Sequence, residues 1–362
     1  MIIKSFRAQN FRNIESCSLD FLPTVNLLLG ENAQGKTNAV EGIYLFARGK
    51  SFRKGDEKDL VGFGKEGFNL FIEYEDKNGK NTLEYAFYGR ERRRKKNGYK
   101  LSRASEMMGS FKAVLFSPDD LTLVKGGPDE RREFLNVAIA QCYPSYVSLY
   151  ADYKKALENR NAILKNASKG LYFDESEFSA WSESLAEYAS FVHLQRREYI
   201  KKLEVYASVF MSSISMGKEK LSISYKSDIE NAEGMNREDI KEEYRRIFSS
   251  SVAREMGAGV TLFGPHREDI LIKINGNDAR TFSSQGQQRS IVLALKMAEG
   301  EVSRELFNEY PVFLFDDVLS ELDESRQKFV IEGMKDRQII ITSCEKIDAT
   351  GKIIEVKGGN FS

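Results

Sequence analysis

The sequence predicts an α/β fold in which a buried parallel sheet is interrupted by a long, mainly helical insertion. An apolar run at residues 25–29 leads into a glycine-rich loop and then into a helical pattern. Two further runs, at 312–315 and 338–341, are hydrophobic on both faces, which is typical of strands buried inside a parallel sheet. Between these regions, apolar residues recur at helical spacing over long stretches.

The composition is that of an ordinary soluble globular protein and excludes several classes. The 362 residues suffice for two domains of about 150 residues, and hydrophobic and charged residues make up 41% and 30% of the chain. No apolar run approaches the ~18 residues of a membrane span, and the first residues lack the apolar core of a signal peptide. The three scattered cysteines form neither a disulfide framework nor a metal motif. We therefore expect a cytoplasmic protein without a membrane partner.

Strands joined by short turns are predicted up to about residue 120. Residues 83–88 form a β-rich run, and Asn97-Gly98 indicates a two-residue hairpin turn. The pattern then becomes helical. Pro128 suits a first helical turn, and helical spacing follows over residues 146–166, 178–210 and 236–252.

Strand character returns at residues 269–274, directly before a second hairpin signal at Asn275-Gly276. A helix is predicted from about residue 286 to 307, followed by the two apolar strands near the end of the chain. We therefore predict a discontinuous α/β domain formed by residues 1–120 and 255–362. Residues 121–254 are predicted to form an inserted helical lobe.

Residues 30–37 read Gly-Glu-Asn-Ala-Gln-Gly-Lys-Thr, which matches the phosphate-binding P-loop pattern G-x-x-x-x-G-K-T. Gly30 and Gly35 would let the backbone curl so that successive N–H groups point at one anion. Lys36 is expected to reach the β- and γ-phosphates of ATP, and the Thr37 hydroxyl to bind Mg²⁺. A preceding strand and a following helix are the context that this chemistry needs. The expected ATP-binding residues of the loop are Gly30, Glu31, Asn32, Ala33, Gln34, Gly35, Lys36 and Thr37.

A pair of carboxylates follows the predicted strand at 312–315. In P-loop ATPases such a strand is expected beside the P-loop strand, and its first carboxylate, here Asp316, would hold Mg²⁺. Asp317 would act as the base or orienting group for the attacking water, so Asp317 and Lys36 are the expected catalytic residues. Lys36 and Asp316 are 280 positions apart (316 − 36), so the intervening chain must leave the sheet and return. The alternatives for these motifs are a chance glycine-rich turn and an ordinary acidic turn.

A third motif, Ser284-Gln285-Gly286-Gln287, opens the helical pattern that precedes the carboxylate strand. It resembles the Ser-Gly-Gly-Gln signature of ABC-type ATPases, in which a hydroxyl and helix-opening N–H groups form an anion site. Ser284, Gly286 and Gln287 are therefore further expected ATP-binding residues, although Gln285 replaces the first glycine. Taken alone, the same residues would also make an ordinary serine helix cap.

Segments spread over almost the whole chain together resemble the RecF family of bacterial recombination mediators. They are residues 10–13, 30–38, 49–53, 116–121, 127–132, 264–267, 284–289 and 315–323. The resemblance implies an ABC-type P-loop ATPase head related to SMC proteins, with a helical lobe in place of the long coiled coil. It also implies that two chains sandwich two ATP molecules, with the Ser284 segment of each chain completing the γ-phosphate site of the other.

The resemblance extends to partners and to the speed of turnover. RecF proteins bind DNA in an ATP-dependent way and act with RecO and RecR to help load RecA at gaps. The implied partners are therefore DNA, a second copy of the chain, RecR and RecO, with RecA reached indirectly. Two departures favour a slow, switch-like ATPase. The usual histidine after the last strand is absent, since Thr342-Ser343 offers only hydroxyls, and Asp317 stands where many relatives carry glutamate.

DNA contact requires a local basic patch, because the 54 basic and 54 acidic side chains leave no net charge. The densest basic cluster lies at residues 90–103, with eight positive side chains and one acid. Arg92, Arg93 and Arg94 are the suggested DNA contacts, and an edge strand that uses charge against aggregation is the alternative. His193 and the aromatic stripe around Trp181 are interpreted as structural. His266 lies either near the site or in a turn.

Three other functions compete with a DNA-binding ATPase. A transporter motor subunit would need the absent histidine and a membrane partner. A phosphotransferase acting on a small metabolite would need neither the Ser284 motif nor so long an insertion. An SMC-like head with another DNA role is the nearest alternative, although the sequence lacks the sustained heptads of a long coiled coil.

Overall fold

The computed structural model describes residues 1–347 and 350–362. Its strands are β1 (Ile2–Phe11), β2 (Ile14–Asp20), β3 (Val25–Leu29), β4 (Gly67–Asp76), β5 (Gly79–Tyr88), β6 (Glu91–Lys96), β7 (Tyr99–Lys100), β8 (Ala113–Phe116), β9 (Leu221–Lys226), β10 (Asp269–Ile274), β11 (Asn277–Asp278), β12 (Val312–Asp316), β13 (Ile339–Ser343), β14 (Gly351–Lys357) and β15 (Asn360–Phe361). Its α-helices are α1 (Lys36–Arg48), α2 (Ala104–Met107), α3 (Thr122–Lys125), α4 (Pro128–Cys142), α5 (Pro144–Ser168), α6 (Glu175–Ile214), α7 (Arg237–Ala258), α8 (Ala279–Phe282), α9 (Gln285–Phe307) and α10 (Glu324–Gly333).

The predicted elements are present where local chemistry determines them. Pro128 begins α4, and the side chain of Asn236 caps α7 by accepting from the backbone N–H groups of Glu238 and Asp239. Both hairpin signals form turns in which the asparagine and the glycine have positive φ, as a type I′ turn requires. The three long helical patterns correspond to α5, α6 and α7, which extend beyond the predicted limits.

Two compact units divide the chain. The first comprises Met1–Leu121, Val209–Glu219 and Ser284–Ser362, and the second comprises Thr122–Ser208 and Lys220–Ser283. The first observed division, after Leu121, lies one residue beyond the predicted limit at 120. The division at 283/284 differs from the predicted one at 254/255, because β10 pairs antiparallel with β9 and so belongs to the second unit.

A parallel sheet forms the centre of the first unit, with the strand order β15-β14-β3-β13-β12-β8. All neighbouring pairs except β14–β15 are parallel. The expectation that the carboxylate strand lies beside the P-loop strand is wrong, because β13 lies between β3 and β12. The chain leaving β12 crosses over through α10 and returns as β13 on the side of β12 that faces β3.

The helix that follows the P-loop lies against both sheets of the first unit. Helix α1 contacts β1 of the antiparallel sheet β2-β1-β4-β5-β6-β7, and β12 and β13 of the parallel sheet. Close approach requires Gly42, since a Cβ there would lie 2.8 Å from the Phe6 ring. Helix α9 packs on the parallel sheet through Leu293 and Met297, in a core cluster that includes Phe313. The contacts of α1 with both sheets fix the position of its first turn.

The second unit combines helices α3–α5, α7, α8 and most of α6 with the small sheet β11-β10-β9, and its interior includes a buried polar cluster. Glu268 is buried and accepts hydrogen bonds from Tyr244 (2.6 Å) and Ser227 (3.1 Å), while His193 Nδ1 lies 3.6 Å from it. The structural interpretation of His193 is therefore confirmed. Trp181 packs against a small core cluster. Among the described residues, no helix combines the length and the low charge needed to cross a membrane.

His266 belongs to a turn of the second unit, so the turn interpretation is confirmed. Its Nδ1 lies 2.6 Å from the Tyr153 hydroxyl, and its Nε2 lies 3.2 Å from the carbonyl oxygen of Thr261. The backbone N–H of Arg267 donates to the carbonyl of Gly264 and closes the turn. Burial lowers the pKa of His266 to about 4, which keeps the imidazole neutral at physiological pH.

Candidate nucleotide-binding site

The loop between β3 and α1 is shaped by its two glycines for different reasons. Gly35, which caps α1, has a φ of 112°, and Ala33 has a φ of 63°. Only Gly35 therefore needs the conformational freedom of glycine in the way that the sequence suggested. Gly30 is needed for space instead, since a Cβ there would lie 2.2 Å from the carbonyl oxygen of Val356 in β14. Its N–H donates to the carbonyl of Ser343 at 3.2 Å and ties the loop to β13.

The Lys36 side chain lies folded back onto the loop. Its Nζ donates to the carbonyl oxygens of Gly30 (2.6 Å) and Glu31 (2.9 Å) and lies 3.5 Å from Cys344 Sγ. Only 3% of the residue is exposed. The ammonium is thus held at the inner side of the loop, where an anion cradled by the backbone N–H groups would meet it.

One hydroxyl contacts both aspartates at the end of β12, one through its carboxylate and the other through its backbone. Thr342 Oγ1 donates to Asp316 Oδ1 at 3.0 Å and accepts from the backbone N–H of Asp317 at 2.9 Å. Burial raises the pKa of Asp316, and hydrogen bonds from the Thr37 and Thr342 hydroxyls offset part of that rise. The two predicted Mg²⁺ ligands, Thr37 and Asp316, are therefore close enough to interact although β13 lies between β3 and β12.

These two oxygen donors suit Mg²⁺, which takes few protein ligands and completes its shell with water and phosphate oxygens. Within residues 1–347 and 350–362, no group of three or more acidic, histidine or cysteine side chains could hold a metal by itself. Thr37 and Asp316 therefore fit a metal that arrives with a nucleotide, and do not fit a closed all-protein metal site.

An open cleft of about 360 Å³ lies over this region. Seven of its ten lining residues are predicted site residues, namely Asn32, Ala33, Gln34, Gly35, Lys36, Thr37 and Asp317. The others include Asn13, Asn38 and Arg53, which motif matching did not assign. Asn13 and Arg53 lie in segments 10–13 and 49–53, which resemble the RecF family. The sequence could therefore have pointed to both residues, although it gives no function for either. Asp317 reaches the cleft from a backbone conformation with φ of 54°.

The remaining loop residues hold the loop in place. Asn32 accepts a hydrogen bond from the Cys344 thiol at 3.0 Å. The backbone carbonyl of Gln34 accepts from the N–H of Gly359 at 2.8 Å, and its side chain accepts from Gly358. These hydrogen bonds connect the loop to the ends of β13 and β14. No sequence pattern predicts them.

The Ser284 motif lies outside this cleft. Ser284 caps α9 by accepting from the N–H of Gln287 at 3.3 Å, and Gln287 Oε1 accepts from the N–H of Ser284 at 2.8 Å. Gln287 Nε2 also donates to Glu219 at 2.8 Å. Ser284, Gly286 and Gln287 thus share the first turn of α9, but none lines the cleft that holds Lys36. Within one chain the structure matches the helix-cap alternative.

The basic cluster includes β6 and β7, and three of its side chains, Arg92, Arg93 and Lys95, pair with acids of the same chain. Arg92 pairs with Glu57, and Arg93 Nη2 lies 3.4 Å from Glu91. Arg94 points to the inner face, where its guanidinium lies 5.0 Å from the centroid of the Tyr85 ring. Arg92 and Arg93 are exposed, whereas Arg94 is half-buried, so the three suggested DNA contacts do not form one surface.

Comparisons with known proteins agree with the motifs and the fold. The family model described as "RecF/RecN/SMC N terminal domain" matches residues 2–353. A protein of Exiguobacterium sp. named "DNA replication and repair protein RecF" is 39% identical, over 99% of this chain and 98% of its own. The protein of the same name from Clostridioides difficile is 38% identical, over 95% of this chain and 92% of its own.

The solved structures lead to the same family. The recombination mediator RecF of the RecFOR pathway, solved as RecF-ATPrS, has a TM-score of 0.94 at 35% identity, covering 99% of this chain and 97% of that one. An SMC head bound to the C-terminal winged-helix domain of ScpA has a TM-score of 0.57 at 14% identity, which shows a shared fold alone. With relatives this similar over nearly its full length, the chain belongs to the RecF family.

Proposed function

We propose that this protein is a DNA-binding ATPase of recombinational repair that uses Mg-ATP as a switch. The observation that carries the proposal is the convergence of Lys36, Thr37 and Asp317 on one open cleft, with the buried Asp316 next to Thr37. The solved relatives named RecF-ATPrS and RecF-ATP support ATP as the nucleotide. The curated relatives named as DNA replication and repair proteins support the process.

The phosphates would lie in the loop of residues 30–37, with the backbone N–H groups and the start of α1 facing their charge. Lys36 would exchange its two carbonyl partners for β- and γ-phosphate oxygens, an exchange of neutral acceptors for charged ones. Thr37 and Asp316 would hold Mg²⁺, which neutralises phosphate charge when bound. Asp317 would orient the attacking water and accept its proton.

Slow turnover follows from the same residues. Asp317 has a shorter side chain than glutamate, and the hydroxyls of Thr342 and Ser343 stand where an imidazole is usual in this class of ATPase. Water orientation is therefore less well supported, and orientation contributes much of the rate in phosphoryl transfer. We propose a weak, Mg-dependent ATPase in which the lifetime of the bound nucleotide matters more than the rate.

ATP-driven homodimerisation would convert the bound nucleotide into a signal. The turn of α9 that carries Ser284, Gly286 and Gln287 lies outside the cleft of its own chain, which supports a role at the γ-phosphate of a second copy. Helix-opening N–H groups favour the more highly charged triphosphate over the diphosphate. A difference in affinity between assembly states is sufficient to shift their equilibrium.

On DNA, the ATP-bound dimer would act in the cytoplasm with RecO and RecR to assist RecA loading at gaps. Arg92 and Arg93 are the exposed basic residues that we propose for phosphate contact. A binding assay on gapped, single-stranded and duplex DNA, with and without Mg-ATP, tests the proposal. We expect tighter binding with ATP, and equal affinities in both conditions on all three substrates would contradict it.

A further inference from the structure

A buried carboxylate lies in the second turn of the P-loop helix, outside the phosphate-binding motif. Glu41 has no solvent exposure, and its oxygens accept from Arg12 Nε at 3.0 Å and from Arg12 Nη2 at 2.7 Å. Arg53 Nη1 lies 3.5 Å from Glu41 Oε2. The Ser51 hydroxyl donates to the other oxygen. Ion pairs buried in this way add little net stability on average, so their presence calls for another explanation.

Arg53 connects this carboxylate to the cleft. Its guanidinium lines the cleft and donates to Asn38 Oδ1 at 2.9 Å. Asn38 in turn donates to Asn13 Oδ1 at 2.7 Å, and Asn13 Nδ2 lies 3.3 Å from the carbonyl of Ala33 in the P-loop. The charge of Arg53 also lowers the pKa of Asp316, so the two side chains are close enough to interact electrostatically.

Glu41 restrains both the side chain of Arg53 and the backbone at Arg53. The Ser51 hydroxyl that donates to Glu41 also accepts from the backbone N–H of Arg53 at 2.9 Å. One carboxylate thereby sets the turn and restrains the guanidinium. Two guanidinium groups against one carboxylate leave one positive charge in excess, and it is directed toward an anionic occupant of the cleft.

We infer that Glu41 is a positioning residue for the nucleotide, acting through Arg12, Ser51 and Arg53 and touching no nucleotide itself. The inference rests on the proposed function. If it is correct, the effect of Glu41 on ATP affinity depends on Arg53. Glu41→Gln keeps the shape of the side chain but removes the charge and places an amide donor against the donors of Arg12.

A double-mutant cycle on the full chain tests this, with ATP affinity measured by calorimetry in Mg²⁺ buffer. Glu41→Gln and Arg53→Ala should each weaken ATP affinity by about tenfold. The double variant should bind no more weakly than Arg53→Ala alone. Independent losses that multiply in the double variant would overturn the inference, as would tighter ATP binding by Glu41→Gln.

Ser51→Ala keeps the test decisive if Glu41→Gln does not fold, since it removes one hydroxyl and leaves the Arg12 pair intact. We expect it to weaken ATP affinity, with no further loss when combined with Arg53→Ala, and Glu41→Asp to retain more affinity than Glu41→Gln. Unchanged affinity in Ser51→Ala would contradict the inference. If the parent chain itself binds no ATP, the proposed function fails. If the parent chain binds ATP but the losses of affinity in the two single variants multiply in the double variant, only the inferred role of Glu41 fails.

Discussion

At the scale of single residues, the charged side chains of the proposed nucleotide site are held by hydrogen bonds to their own chain. Lys36 is almost fully buried and donates to two carbonyl oxygens of its own loop, so its charge is oriented without being neutralised. Asp316 is buried, which raises its pKa, and the neighbouring Thr37 and Thr342 hydroxyls lower that pKa. The side chains expected to act on phosphate and metal are thus oriented by neighbouring groups of the same chain.

Lys36→Met should abolish ATP binding, because the ammonium that neutralises the β- and γ-phosphates is lost. Lys80→Met, a matched change of an exposed lysine in β5, should bind ATP like the parent. Calorimetry on both variants checks this, and micromolar ATP affinity retained by Lys36→Met would refute the assignment of the loop.

Asp317→Asn should keep ATP bound while stopping hydrolysis, since the carboxylate that orients water is lost and Asp316 still holds the metal. The change keeps the size of the side chain. Phosphate release under saturating Mg-ATP, together with a binding titration, separates the two effects. Hydrolysis at the parental rate would show that Asp317 is not the base.

Asp316→Asn should stabilise the protein in metal-free buffer while removing its stabilisation by Mg-ATP. Burial raises the pKa of Asp316 above that of the unfolded chain, so keeping it ionised costs folding free energy at neutral pH. The cost, and therefore the gain from Asn, disappears as the pH falls below the pKa of the unfolded chain. Melting temperatures across this pH range should show a gain of roughly 2 °C at pH 7. A lower melting temperature at neutral pH would contradict the argument.

At the scale of elements, the sequence predicts what local chemistry determines. Glycine and asparagine mark both hairpins, Pro128 begins α4, and Asn236 caps α7. Strand order is different in kind, because two consecutive apolar runs do not show which of them lies beside β3. The position of β13 between β3 and β12 is set by the crossover through α10, which the side-chain pattern does not encode.

The candidate site divides in the same way. The loop, Asp316 and Asp317 belong to patterns whose chemistry dictates their spacing, so the sequence alone predicts a role for them. Arg53, Asn13 and Cys344 reach the loop through tertiary contacts between distant segments, and their spacing in the chain is not constrained. Asn13 and Arg53 belong to segments that resemble the RecF family, but the sequence does not show what any of the three contacts.

The basic strand β6 gives a prediction at this scale. Changing Arg92 and Arg93 to Ala should weaken DNA binding at every sequence and reduce the salt dependence by about two phosphates. Arg94→Ala is the contrasting variant, since that side chain packs on Tyr85 and should affect stability more than the salt slope. DNA affinity measured across a salt series checks this. An unchanged slope in the double variant would return β6 to the role of a charged edge.

At the scale of the whole molecule, one question decides whether the protein is a switch. The first unit contains both the P-loop and the Ser284 turn, yet that turn lies outside the cleft lined by Lys36. On the proposed function, a single chain would present an incomplete nucleotide site and an anion-binding turn that only a second chain could use. Two-fold pairing of identical chains would complete both sites at once, since each chain supplies what the other lacks.

The most direct test is the ATPase rate of an equimolar mixture of Lys36→Met and Ser284→Arg chains. Each variant alone should be inactive, the first because it binds no ATP and the second because bulk and misdirected charge at the turn prevent pairing. A mixed pair retains one intact site, made from the P-loop of the Ser284→Arg chain and the Ser284 turn of the Lys36→Met chain. Random pairing then predicts recovery of up to about a quarter of the parental rate. A mixture as inactive as its components, or a Ser284→Arg chain that hydrolyses ATP like the parent, would contradict the proposal that the site is shared between two chains.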